Sequence, residues 1–533
     1  MSRRLETGVA LAATAVLVVL HVVAFLHGGA LWRDEANSVK VSSMPAAEMW
    51  RSMEWDSFPV LWFALLRAWT ALGPGTSDLG LRALALILGL GILAALWYNA
   101  RALGVGPPLV SLAVLGFNGA VLAFGDSVRS YGLGMLTGLL AFTLAWRFAD
   151  DPKPRRLLVF AAAALVSVHC LFYNAVFLLA SCAGGAAVAL RRRRLATLLS
   201  LGAVGLVCAG SLLIYRPMME RQKDWTVVVR APIGVAWIWE QLTRALSLTG
   251  AKAFLWLWVA LVLLALGAAA FLLRRASALE DRHKDAVAFA LAALATGIVA
   301  YLLFLLRLSY PMQPWYFLAL MAMVAACLEG LLGHASGDAR VRAARRAAVV
   351  LVMAAALPGL WRMAVVRKTN VDLVAAKLES TATDEDLVVV SPWYCGVSFD
   401  RYYRGSAGWV TVPPVSTHGI HRYDLMKRAM MSPDAMRPVL ERMQAVLAGG
   451  HRVFWVGEIM APPAGQAPPV LAPAPGTPWR WQEEPYIRSW ILQAGSVLRQ
   501  YGRRAGTIPV PVEGPVNGYE NLPVIVVDGS PGS

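Results

Sequence analysis

Residues 8–26 read GVALAATAVLVVLHVVAFL, an apolar run without Asp, Glu, Lys or Arg, and Arg3 and Arg4 precede it. A helix needs about 20 predominantly apolar residues to cross the hydrocarbon core of a bilayer. The run is longer than the roughly 7–15 apolar residues of a secretory signal peptide, and no clean small-residue cleavage site follows it. We therefore interpret residues 8–26 as a retained membrane anchor.

The composition of the whole chain indicates a membrane protein. Of its 533 residues, 58% are hydrophobic and 15% are charged, whereas a soluble domain has about 45–50% apolar and 25% charged residues. This excludes a purely water-soluble enzyme. The cysteines show no C-x-x-C spacing, which argues against a disulfide framework and a structural zinc site.

Ten further apolar runs are long enough to cross a membrane, which makes eleven predicted spans. They lie at about 79–100, 107–124, 131–148, 157–171, 173–190, 196–214, 253–273, 286–306, 315–333 and 347–365. An odd number of spans predicts that the two ends of the chain lie on opposite sides of the membrane.

Cations are concentrated in alternate loops, which gives the predicted orientation. These loops carry Arg3 and Arg4, Arg101, Lys153 with Arg155 and Arg156, Arg191–Arg194, Arg274 with Arg275, Arg282 and Lys284, and Arg340 with Arg342, Arg345 and Arg346. Cytoplasmic loops are enriched in Lys and Arg, so we expect a cytoplasmic N-terminus and a C-terminus outside. Because much of the net charge of +16 is then a topology signal, we expect no nucleic-acid partner.

The composition changes after residue 365. Residues 366–533 hold 18 of the 30 prolines and no run long enough to span a membrane. Leu387–Val390 and Val453–Val456 are predicted as strands, and Pro462–Pro478 as a loop. We therefore predict a transmembrane domain at 1–365 and a small extracytoplasmic α/β domain at 366–533.

The predicted first outer loop, residues 27–78, is rich in acidic and aromatic side chains. Asp34 and Glu35 follow the first span, and Glu54 and Asp56 form a second acidic pair. Residues 44–69 mix Trp, Met and Leu with polar residues, which is typical of helices that lie in the membrane interface. A carboxylate in this loop is a candidate for chemistry beside lipid head groups. The alternative is that Asp34 caps a short helix.

The order of the motifs is more specific than any one of them. Asp34-Glu35 is followed by D-x-x-P-x-L and two aromatic residues at 56–63, by Arg82 at the start of the second span, and by Arg129-Ser130-Tyr131. This order resembles the GT-C glycosyltransferases, in the family 39-like branch of the protein O-mannosyltransferases and the lipid A aminoarabinose transferases, over roughly residues 5–335.

The resemblance implies a GT-C-type polytopic α-helical membrane enzyme of about eleven spans that takes a sugar from a polyprenyl-phosphate donor at the outer membrane face. In that family the Asp of the D-E pair is the catalytic base, which corresponds to Asp34, and Glu35 is its acidic neighbour. The sequence departs from the family in two places. Phe58 stands where the family has His, with Val60 in place of the second Pro, and Trp315 stands where the family has Arg. These departures bear on the donor phosphate and the substrate.

The chemistry of such a transfer assigns roles to further residues. A carboxylate must take the proton of the acceptor hydroxyl, and a direct attack inverts the anomeric configuration. Cations should neutralise the departing phosphate; Arg129 is the first candidate. Arg307 is a second, as a substitute for the Arg missing at 315. Arg82 is a third, with a structural pairing to an acidic residue as its alternative.

Other polar residues near the same membrane face complete the prediction. The candidates for a substrate pocket are Asp56, Asp126, Tyr131 and His169. Asp126 is alternatively a partner of Arg129, and His169 a hydrogen-bonded packing residue. His418-x-x-His421 lacks further obvious ligands, so zinc is not expected there. We expect no metal and no cofactor.

The expected partners are a polyprenyl-phosphate sugar donor, a glycan, lipid or protein acceptor, and membrane lipids; the expected location is a bacterial inner membrane. Two other functions remain open. A transporter or lipid flippase is disfavoured because ionisable residues are scarce in the spans. A non-catalytic protein of envelope assembly predicts that Asp34→Asn has no effect.

Overall fold

The computed structural model describes residues 2–225, 234–248, 252–274, 280–308, 312–335, 339–475 and 483–530. These residues fall into two compact units. The first lies within Met1–His27, Phe58–Arg216 and Pro232–Val365, and the second within Gly28–Ser57, Pro217–Ala231 and Val366–Ser533. The segment after the first helix therefore belongs to the same unit as the C-terminal region.

The first unit is built from helices. Their bounds are Ser2–His27, Val60–Ala71, Asp78–Leu103, Leu109–Ser111, Ser130–Asp150, Pro154–Cys170, Asn174–Arg191, Leu195–Ser211, Val235–Leu246, Ala253–Arg274, Asp281–Leu308, Leu318–His334 and Ala339–Ala364. In the described part of the chain, nine helical segments are long and apolar enough to cross a membrane. The chain is an integral membrane protein, as its composition predicts.

Two of the eleven predicted spans are not among these nine segments. The run predicted at 157–171 forms the continuous helix Pro154–Cys170, whose 17 residues are at the short end of what can cross a membrane. The run predicted at 107–124 is divided into short helical turns at Leu109–Ser111, Leu112–Gly116 and Val121–Gly125. The prediction of hydrophobic spans is confirmed for nine segments, and the 107–124 run shows that apolar character alone does not ensure a continuous helix.

The division of the 107–124 run has identifiable causes. Pro107 and Pro108 at its start have no N–H to donate to a helix. Further along, the Asn118 side chain accepts a hydrogen bond from the amide of Ala120 at 2.8 Å, which begins a new turn. Residues 107–122 are all buried, and irregular backbone at membrane depth is tolerated where protein surrounds it.

Loops that alternate along the chain meet at one end of the first unit. Arg192 pairs with Asp285, and it also lies 3.3 Å from Asp150. Arg282 lies 3.2 Å from the same Asp150. All three loops belong to the set that the cations predict to be cytoplasmic. Helices that cross a membrane in alternating directions place every second loop on the same side, so these loops are expected to meet. The side of the membrane on which they lie stays a prediction.

The second unit contains a five-stranded mixed sheet. Its strands are β1 Leu387–Val390, β2 Gly408–Thr411, β3 Arg452–Val456, β4 Arg504–Ile508 and β5 Val524–Asp528, in the order β2-β1-β3-β5-β4. Strand β1 is parallel to β2 and β3, whereas β5 is antiparallel to β3 and β4. The strand predicted at Leu387–Val390 is confirmed, and the one predicted at Val453–Val456 begins one residue earlier.

Helices cover both faces of this sheet. The helices of the unit are Arg33–Ser43, Ala46–Ser52, Arg216–Trp225 (from its second residue on), Val371–Glu379, Gly396–Tyr402, Tyr423–Met431, Arg437–Ala448 and Glu483–Tyr501. Leu387 and Val389 of β1 pack in one apolar core, and Val388 and Val390 pack in the other. Since successive side chains of a strand lie on opposite faces, a fully apolar strand is what a sheet covered on both sides requires.

Candidate functional site

Asp34 and Glu35 lie in the first turn of the helix Arg33–Ser43. Trp32 precedes this turn in an extended conformation, and its amide donates a hydrogen bond to the Glu35 carboxylate at 3.4 Å. Acidic side chains at this position satisfy otherwise unpaired N–H groups and interact favourably with the helix dipole. Glu35 is fully buried in this capping role, whereas the side chain of Asp34 is 24% exposed.

This helix lies at the carboxyl ends of the parallel strands β1 and β2. The chain leaves β1 towards Tyr394, whose ring centre is 4.4 Å from the Arg33 guanidinium. It leaves β2 towards His421, whose amide donates a hydrogen bond to Oδ1 of Asn37 at 2.9 Å. Ligands of open α/β sheets bind outside the carboxyl ends of the strands. The first predicted outer loop and the C-terminal region therefore build one edge together.

Asp34 lies between an imidazole and a guanidinium. Its Oδ1 is 3.3 Å from Nε2 of His421 and 3.9 Å from Nε of Arg33. His421 is only 3% exposed. Its ring meets that of Trp393 edge-on, with the ring centroids 6.1 Å apart. The centroid of the Tyr423 ring lies 5.7 Å away. The surrounding rings limit the movement of the imidazole next to the candidate base.

The backbone just before Asp34 is fixed by a buried carboxylate. The Arg33 amide donates a hydrogen bond to Glu520 at 2.8 Å, and the Arg33 guanidinium donates to the carbonyl oxygen of Tyr519 at 2.8 Å. Glu520 also accepts hydrogen bonds from Ser398 and Thr369. Burial raises the pKa of Glu520 to about 7, and the positive charge of Arg33 opposes this rise.

The other acidic pair of the loop has partners within the second unit. The Ser38 hydroxyl donates a hydrogen bond to Asp56, which is 6% exposed. Glu54 forms an ion pair with Arg221 at 2.7 Å. These contacts give Asp56 a structural partner on the helix that carries Asp34. Its assignment to a substrate pocket stays a prediction.

Arg129, in the first unit, lies among aromatic rings. It is 8% exposed, and its guanidinium is 4.5 Å from the ring centre of Phe58. The Phe58 ring meets that of Tyr131 edge-on at 5.3 Å, and Tyr131 lies 6.4 Å from Trp315. Phe58 and Trp315 are two of the positions at which the sequence departs from the motifs it resembles. Both flank Tyr131, so these replacements occur in one neighbourhood.

Asp126 pairs with a histidine that the motifs do not include. Its Oδ2 lies 2.5 Å from Nδ1 of His21 in the first helix, and both side chains are buried. Gly89 leaves the room for this pair, since a Cβ there would lie 2.2 Å from Oδ1 of Asp126. A single His within the otherwise apolar run 8–26 is the sequence signal that points to such a pair.

The remaining predicted residues have different surroundings. The ring nitrogens of His169 lie 2.8 Å from the Tyr215 hydroxyl and 3.0 Å from that of Ser211, in agreement with the packing alternative. Arg82 is 3% exposed in the helix Asp78–Leu103. Arg307 is exposed in the last turn of its helix. Residues 309–311, which the sequence places after it, lie outside the described residues.

Among the described residues, no group of three or more His, Cys, Asp or Glu side chains comes together in a way that suits a metal ion. The sequence considers His421 only for zinc, and it gives no role to Arg33, Asn37 or Glu520. One sequence signal pointed towards His421. Residues 409–411 favour a strand and are followed by prolines, which predicts the end of a strand before His421. Ligands of open α/β sheets bind near such strand ends.

Neither a family model nor a curated protein matches this sequence. The solved structures that are similar to the chain include the following two. The crystal structure of ArnT from Cupriavidus metallidurans, bound to undecaprenyl phosphate, is 14% identical and has a TM-score of 0.48, over 84% of this chain and 93% of that chain. The Archaeoglobus fulgidus oligosaccharyltransferase, in complex with Zn and sulfate, is 12% identical with a TM-score of 0.46, over 84% of this chain and 67% of that chain.

Proposed function

We propose that this chain is an inverting glycosyltransferase that moves a sugar from a polyprenyl-phosphate donor to an acceptor on the outer face of a bacterial inner membrane. Asp34 is the proposed general base. The observation that carries this proposal is the setting of Asp34: it is partly exposed at the carboxyl edge of a sheet, with Arg33 and His421 within 4 Å. Glu35, by contrast, is occupied by the helix cap.

The proposed reaction is a single displacement. The acceptor oxygen attacks C1 of the sugar, and the hydroxyl proton passes to the Asp34 carboxylate. The bond between C1 and the phosphate oxygen breaks, and the polyprenyl phosphate leaves with the electron pair. One displacement inverts the anomeric configuration, so no carboxylate nucleophile is needed. A positioned general base contributes about 10²–10⁴-fold to such a rate.

Arg129 is the proposed partner of the departing phosphate. Its guanidinium is planar and permanently charged, and it pairs with phosphate through two parallel hydrogen bonds. Arg129 is only 8% exposed, which supports its assignment to the phosphate, because charge–charge attraction is stronger where water is excluded. Arg82, which is equally buried, and Arg307, which is exposed, remain the other candidates. No metal or cofactor takes part in the proposed reaction.

The test compares glycolipids and glycoproteins by mass spectrometry. A strain without this chain is complemented with the wild type, Asp34→Asn, or the control Asp384→Asn, which changes an exposed residue in the turn before β1. We expect the wild type and the control to restore the product, and Asp34→Asn to yield at least about 100-fold less at equal protein level. An unchanged profile in the deletion strain would contradict a transferase.

One observation favours transport as a second candidate function. The pair of His21 and Asp126 is buried, and it includes an ionisable residue of a predicted span. Ionisable groups inside spans often mark ion or proton pathways. In that case Asp126→Asn would abolish function in the complemented strain, whereas Asp34→Asn would leave it intact.

A further inference from the structure

We propose that His421, from the C-terminal region, is the positioning residue of Asp34. Its imidazole fixes the orientation of the Asp34 carboxylate, which takes the proton of the acceptor. This inference rests on the proposed function, because it assigns a role to His421 only if Asp34 acts as a base. It makes the C-terminal region part of the catalytic machinery.

The geometry assigns the ring nitrogens to different tasks. Nε2 lies 3.3 Å from Oδ1 of Asp34, and neither ring nitrogen of His421 makes a hydrogen bond to the described residues. A neutral imidazole carries one N–H, and that proton is best placed where an acceptor is available. Nε2 is therefore the donor. The contact is within hydrogen-bond distance but is not aligned as a hydrogen bond, and contacts of this kind align and tighten when the reacting complex forms.

The backbone at His421 is held by the same helix that carries Asp34. Asn37, one turn after Asp34, accepts the hydrogen bond from the His421 amide at 2.9 Å. Two residues earlier, a Cβ on Gly419 would lie 3.0 Å from Cε of Lys40. Helix and loop thus form one support for the pair of Asp34 and His421.

A carboxylate that is held in a fixed orientation raises the rate of this reaction more than a mobile one. Placing a reacting group in its productive orientation removes an entropic part of the barrier, and displacements near 1 Å cost about 10²-fold in rate. Hydrogen bonding by His421 fixes the orientation in which the Asp34 carboxylate meets the acceptor hydroxyl. His421 keeps its own proton throughout, so the proton balance of the proposed displacement does not change.

The test uses the full-length protein and the complementation assay described above. His421→Phe keeps a ring against Trp393 and Tyr423 but removes the donor, and His421→Gln keeps an N–H donor at a similar reach. The matched control is His418→Phe, three residues earlier, whose ring stacks on Trp409 at 4.2 Å. All variants are compared at equal protein level, and only variants whose midpoint temperature of unfolding equals that of the wild type are included.

We expect His421→Phe to lower product formation about 10- to 100-fold, and His421→Gln to restore at least half of the loss on a logarithmic scale. His418→Phe should match the wild type. The double variant Asp34→Asn with His421→Phe should be no worse than Asp34→Asn alone, because His421 acts through Asp34.

The possible results separate this inference from the proposed function. If Asp34→Asn abolishes transfer and His421→Phe equals the wild type, His421 is not a positioning residue and the proposed function stands. If His421→Gln is as inactive as His421→Phe, the donor is not what matters and the inference is wrong. If Asp34→Asn is fully active, the proposed function fails first.

Discussion

At the scale of single residues, two adjacent carboxylates have different environments because of where one helix begins. Asp34 and Glu35 are neighbours in the sequence, but Glu35 occupies the third helical position, from which a carboxylate reaches back to the Trp32 amide. The sequence predicts that this acidic pair matters. It cannot tell the cap from the candidate base, because Trp32 is not a residue type that marks a helix start.

Substitutions at Arg129 test whether this residue binds the departing phosphate. We expect Arg129→Gln to lower transfer at least about tenfold, since it removes the charge proposed to meet the phosphate. Arg129→Lys should recover only part of this, because an ammonium does not reproduce the planar group that lies over Phe58. Arg244→Gln, which changes an exposed i,i+4 pair, is the control. The measurement is product yield at several donor concentrations, and full activity of Arg129→Gln would exclude this arginine.

At the scale of secondary-structure elements, strand starts in the second unit depend on buried polar contacts. Asp386 precedes β1 and accepts hydrogen bonds from the amides of Thr383 and Arg452, both at 2.8 Å. The Arg452 guanidinium adds another at 2.7 Å. Asp386 thereby fixes the start of β1 against the start of β3. Apolar composition predicted both strands, whereas this connection between distant residues had no local signal.

The pH dependence of stability should report this contact. Burial raises the pKa of Asp386, but hydrogen bonds from Arg452 and Thr383 outweigh it and hold the pKa below its usual value. Its stabilising effect is therefore present above pH ~4 and is lost as the pH falls through the lowered value. We expect Asp386→Asn to cost about 1–3 kcal/mol at pH 6. In thermal unfolding of the full chain, the difference in midpoint temperature between Asp386→Asn and the wild type should become smaller towards pH 3. A difference that does not change with pH would contradict the role given to Asp386.

At the scale of the whole molecule, composition and hydropathy predict a helical membrane protein with a C-terminal α/β region. The membership of residues 28–57 in the second unit was not predictable in the same way. It depends on contacts such as that of Asn37 with His421, which are 384 residues apart in the sequence. A periodic pattern describes one element at a time, so it carries no information about which distant loop meets that element. The proximity of His421 to Asp34 could be found only once the fold was known.

The orientation of the chain is the prediction for the molecule as a whole. Positive loops predict that Lys153 lies in the cytoplasm and Ser432 lies outside, and both residues are exposed. Single cysteines at these positions can be labelled with a membrane-impermeant maleimide, with little background because four native cysteines are buried and Cys182 is partly so. In intact spheroplasts we expect Ser432→Cys to be labelled, and Lys153→Cys to be labelled only after the membrane is opened. The opposite pattern would place Asp34 and His421 in the cytoplasm, on the wrong side for the proposed acceptor.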